Sequence, residues 1–66
     1  MTLVKPAAAR NATSIDEIEA LAGLRGAQKA KFWRECAVKC VEAGADITEY
    51  GLAMLFARIE KRHAAA

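Results

Sequence analysis

An all-α fold is predicted for this 66-residue chain by its helix-favouring composition and by three amphipathic stretches separated by glycines. Ala, Leu, Glu, Lys and Arg are abundant, whereas Val, Ile and Thr are scattered and never alternate as a strand requires. Hydrophobic residues make up 55% of the chain and charged ones 27%, the balance of a folded globular protein rather than a disordered one. The expected architecture is a small three-helix domain: a short helix 1, then antiparallel helices 2 and 3, preceded by a mobile N-terminal tail.

Residues 1–13, with Pro6 and the Ala7-Ala8-Ala9 run, show no sustained periodicity and read as the tail. Order is expected from Ser14. The Ser14-Ile15-Asp16-Glu17 sequence is a helix N-cap with Glu three residues on, and Asp16, Glu17 and Glu19 suit the positive end of the helix dipole. Helix 1 then presents Ile15, Ile18, Leu21 and Ala22 to a core. Gly23-Leu24-Arg25-Gly26 breaks it, with either glycine able to adopt the left-handed conformation of a C-terminal stop.

Helix 2 is predicted over 27–43, with Ala30, Trp33, Cys36, Ala37, Cys40 and Val41 on its apolar side and Lys31, Glu35, Lys39 and Glu42 on the other. Phe32 and Val38 lie off that stripe and are candidates for contact beyond the core. Gly44 ends helix 2. Asp46-Ile47-Thr48-Glu49 repeats the cap-then-Glu spacing, and helix 3 closes on the basic Lys61, Arg62 and His63 before a frayed 64–66. A single domain over 14–63 results, with Ile15, Ile18, Leu21, Leu24, Trp33, Cys36, Ala37, Cys40, Val41, Leu52, Leu55, Phe56 and Ile59 as its expected core.

Helix 3 is apolar on two sides. Leu52, Leu55, Phe56 and Ile59 form one stripe, and Tyr50, Ala53, Met54 and Ala57 form another, roughly opposite. So small a protein can bury only one of them, and the second awaits a partner. Tyr50, Ala53, Met54, Ala57 and Phe32 are therefore the candidate interface residues. A homodimer through the second stripe is expected, because a twofold contact is the commonest closure for such a patch.

Several function classes have little support. The single His lies near the terminus, there is no Ser/His/Asp set and no Gly-rich phosphate loop, so neither catalysis nor a small-molecule substrate or cofactor is expected. Metal binding would need Cys36, Cys40 and His63 to converge, a spacing unlike paired ligands on a tight turn. The two thiols, four apart on a helix, read as buried free cysteines of a reducing cytoplasm. No run reaches the ~18–20 apolar residues of a membrane span.

The net charge of +2 is too small to imply nucleic acid by itself. The bases are concentrated, however: Arg25, Lys29, Lys31, Arg34 and Lys39 oppose the single acid Glu35 between 25 and 39. Helix 1, a Gly-containing break and basic helix 2 resemble a helix-turn-helix over Ile15 to Arg34, with Ile18, Ala22 and Leu24 as that motif wants them. Two positions depart from it: Glu19 stands where a small residue lets the helices approach, and Lys29 where the second helix should be apolar. The resemblance implies DNA contacts from Arg25, Gln28, Lys29 and Lys31. The leading expectation is instead a small interaction protein, an accessory regulator or inhibitor of a larger protein such as short bacterial or phage genes encode, with DNA binding as the alternative.

Overall fold

Local side-chain capping decides where the first and third α-helices begin in the computed structural model, which describes residues 5–64. Ser14 Oγ accepts the Glu17 N–H at 3.2 Å and starts α1 (Ile15–Leu21). Glu17 reaches back one residue further than the cap, to the Thr13 N–H at 3.4 Å and hydroxyl at 3.1 Å. Asp46 caps α3 (Ile47–Ala64), with Oδ1 2.8 Å from the Glu49 N–H. These bonds satisfy backbone donors that the first helical turn leaves without partners.

The stops are equally local. Gly23 adopts φ +82° and is followed by the Leu24 N–H donating to the Glu19 carbonyl at 3.0 Å, a Schellman closure that turns Leu24 into the core. A Cβ on Gly23 would overlap the Arg62 guanidinium, so this turn also receives a cation from the far end of α3, where it complements the negative end of α1. Helix α2 (Ala27–Ala43) ends at Gly44, where the Ala45 N–H donates to Cys40. The short connection that follows sends α3 back antiparallel along α2, so that Cys40 meets Asp46, Trp33 meets Gly51, and Arg58 lies beside Phe32 and Glu35.

Helix α3 is the hub. Leu55 and Ile59 on it are fully buried, and Phe56 is nearly so. Around them gather Ile18, Ala22 and Leu24 from α1 and its turn, with Leu21, Leu52, Phe32 and Trp33 packed at the margin. Burial of such side chains contributes ~1.5–3 kcal/mol each. Cys36 and Cys40 are buried separately, between α2 and α3.

Three expectations are corrected. The core extends N-terminal of Ser14: Ala7–Ala9 form a 3-10 turn against α3 and α1, and Ala9 and Ala12 are buried. Small methyl groups fit beneath this segment, and Lys5 Nζ donates to the Ala12 carbonyl at 2.6 Å, closing it on itself. Residues 1–4 of the expected tail, and 65–66 of the expected frayed end, lie outside the described residues.

Ile15 is 41% exposed and does not belong to the core, because it opens α1 at the rim of the packing. Val41, expected inside, is 80% exposed, with Val38 beside it at 56%. The buried side of α2 runs through Phe32, Trp33, Cys36 and Cys40, which turns the helix by about 60° from the expected stripe. On this side the Trp33 ring lies against Gly51 of α3.

Candidate interaction groove between helices 2 and 3

Two residues that spoil the helix-turn-helix pattern satisfy one another. Glu19 is only 4% exposed, and its carboxylate accepts the Trp33 indole N–H at 2.6 Å and lies 3.7 Å from Lys29 Nζ. Lys29 and Trp33 are one turn apart on α2, so together they grip the carboxylate that α1 presents. The Trp33 ring then lies across Gly51, where any Cβ would overlap it. A glycine in mid-helix costs about 1 kcal/mol in helix propensity. Here it opens the notch into which the ring fits.

Seating Trp33 in this way sets its neighbour Phe32 at the mouth of the α2/α3 hairpin, edge-on to the indole at 5.1 Å between ring centroids. Phe32 forms the floor of a surface groove made of two adjoining hollows. One, of about 260 Å³, is lined by Leu24, Gln28, Lys31, Phe32, Glu35 and Arg58. The other, of about 180 Å³, adds Cys36, Lys39, Tyr50 and Met54. Phe32, Glu35 and Arg58 are common to both and make them continuous.

The groove gathers three of the five expected interface residues, Phe32, Tyr50 and Met54, from two helices. Ala53 and Ala57 do not line it; Ala57 is exposed on α3 and Ala53 is half-buried. Its apolar floor is rimmed by Lys31, Lys39 and Arg58 against one acid, Glu35, which makes it locally basic. Of the residues that the helix-turn-helix resemblance implied for DNA, Gln28 and Lys31 share the first hollow. Arg25 and Lys31 are exposed, Gln28 Oε1 accepts the Arg25 N–H at 3.3 Å at the start of α2, and Lys29 is held by Glu19.

Cys36 lines the second hollow and is 3% exposed. Burial pushes its thiol above the ordinary value of 9.0, and the neighbouring Cys40 adds to this, while Lys39 pulls the other way. The thiol is thus protonated and shielded, the opposite of a reactive nucleophile. As pH rises, the unfolded chain loses this proton before the folded one does. Stability is therefore fully present below pH 9.0 and falls above it. Urea midpoints measured across that range should decline, and Cys36→Ala should flatten the decline.

Among the described residues, no group of three or more His, Cys, Asp or Glu is placed to hold a metal ion, and no helix is long and apolar enough to cross a membrane. His63 is exposed near the end of α3, on a different part of the fold from Cys36 and Cys40. Comparison of the chain with protein-family models, with curated proteins and with solved structures gave no match.

Proposed function

We propose that this chain is a non-enzymatic protein-interaction module, an accessory regulator or inhibitor that engages a larger protein through the α2/α3 groove. The observation that carries this reading is the convergence of Phe32, Tyr50 and Met54 on one surface with a rim of Lys31, Lys39 and Arg58. An aromatic floor, an adaptable Met and a cationic border suit an amphipathic helix with acidic flanks. Two copies of the chain would bring like charges together at this groove, which favours a foreign partner there. A reducing cytoplasm suits the free thiols of Cys36 and Cys40.

The test is selection from a displayed library of helical peptides against the folded protein. Binders should share acidic residues beside two or three apolar anchors, and Met54→Glu together with Tyr50→Ala should weaken them about tenfold or more. Met54 is 44% exposed, so circular dichroism of the variant should match the parent. Binders indifferent to both substitutions would refute the groove as the site.

The helix-turn-helix alternative rests on the exposed bases of α2 and has less support, since Lys29 and Gln28 are engaged within the fold. It requires duplex DNA binding at ~50 mM salt that weakens steeply as salt rises. Loss of that binding on Lys31→Ala would favour it, and its absence at low salt would dismiss it.

A further inference from the structure

We infer that the outward face of α2, adjacent to the groove, is a self-association surface on which a second copy packs antiparallel about a twofold axis. Lys31, Arg34, Val38 and Val41 follow one another at spacings of three, four and three and so form a single stripe. All four are exposed, the valines at 56% and 80%. Neither valine is explained by helix formation, because β-branched residues lose side-chain freedom there and Ala, Lys or Glu would serve better on a solvated face. Ala30 and Ala37 lie along one side of the stripe and keep that side low, which permits close approach there.

Charge identifies the occupant. The bases Lys31 and Arg34 lie in the N-terminal half of the stripe, and the valines with Glu42 lie in the C-terminal half. Arg34 and Glu42 form no ion pair among the described residues. A parallel copy would stack Lys31 and Arg34 on themselves. An antiparallel copy lays the methylenes of Lys31 and Arg34 over the partner's valines and carries their charges to the partner's Glu42, twice by symmetry. Antiparallel helix dipoles add to the preference. One helix face buries less than the ~800 Å² per partner of a standard interface, so the dimer should form and dissociate with concentration.

The experiment is sedimentation equilibrium on the full chain from micromolar to millimolar concentration. The mass should rise from one chain toward two. Arg34→Glu and Glu42→Arg should each weaken association about tenfold, and the double variant should restore it, because the pair is reversed on both copies. Val41→Lys, at so exposed a position, leaves the fold intact and should also abolish the dimer. Two results would overturn the inference: a single-chain mass throughout, or an association that ignores these substitutions and responds to Met54→Glu. The second would return self-association to the Tyr50, Ala53, Met54 and Ala57 side of α3.

Discussion

Glu19→Ala should destabilise the fold by about 1.5–3 kcal/mol, a large loss for a protein of this size. The carboxylate is buried and bonded to the indole N–H at 2.6 Å, so truncation removes the acceptor of a part-buried donor. Lys29 is 40% exposed, and its ammonium can return to water. The loss therefore stays below the ~3–5 kcal/mol of breaking a fully buried pair. A domain below ~70–80 residues rarely holds more than ~3–5 kcal/mol in total, which puts the variant near its unfolding midpoint. Urea titration followed by emission of Trp33, the chain's one tryptophan, would measure the shift. Glu19→Gln retains an acceptor for the indole and should recover a substantial part of it. An Ala variant with the parent's midpoint would show that the buried carboxylate contributes nothing.

Gly51→Val should cost about 1–3 kcal/mol through overpacking, since a Cβ at this position overlaps the Trp33 ring. The ring cannot simply slide away, because its N–H is tied to Glu19 and it packs in a T-shape with Phe32. The diagnostic comparison is Gly51→Ala in two backgrounds. Beside Trp33 the added methyl should be destabilising, despite the gain of up to ~1 kcal/mol in helix propensity. In a Trp33→Leu background the notch is vacant, and the same substitution should become stabilising. Thermal and urea unfolding of the four proteins would close the cycle, and an unchanged sign would mean that Trp33 is not what requires glycine.

Much of the α3 side of the core was legible in the sequence. Leu52, Leu55, Phe56 and Ile59 pack as their spacing implies, since α3 is the hub against which the other elements lie. The orientation of α2 was not legible, because its apolar residues occupy a wide arc and periodicity alone could not choose between the Val41 side and the Phe32 side. Part of the candidate site was legible: of the five residues named together as an interface, Tyr50, Met54 and Phe32 share a groove, whereas Ala53 and Ala57 lie outside it. Its basic rim was visible only as a charge excess along 25–39. The Glu19–Lys29 pair did leave a trace, as two polar residues at positions where a helix-turn-helix wants small and apolar ones. Gly51, a helix-weakening residue within a strong helix, was a second trace of a close approach.

The sequence by itself determined the number of helices, their starts at Ser14 and within the Asp46–Thr48 stretch, and their stops within the Gly23–Gly26 break and at Gly44. Those features depend on hydrogen bonds and dihedral preferences among residues no more than about five apart. Only the tertiary structure decided which side of α2 turns inward, that Ala9 and Ala12 join the core, and that Glu19 is buried with Trp33 and Lys29. These outcomes depend on whether side chains remote in sequence can fill the same space and satisfy one another's polar atoms. The Trp33 ring fills the notch at Gly51, and Val41 lies on the surface.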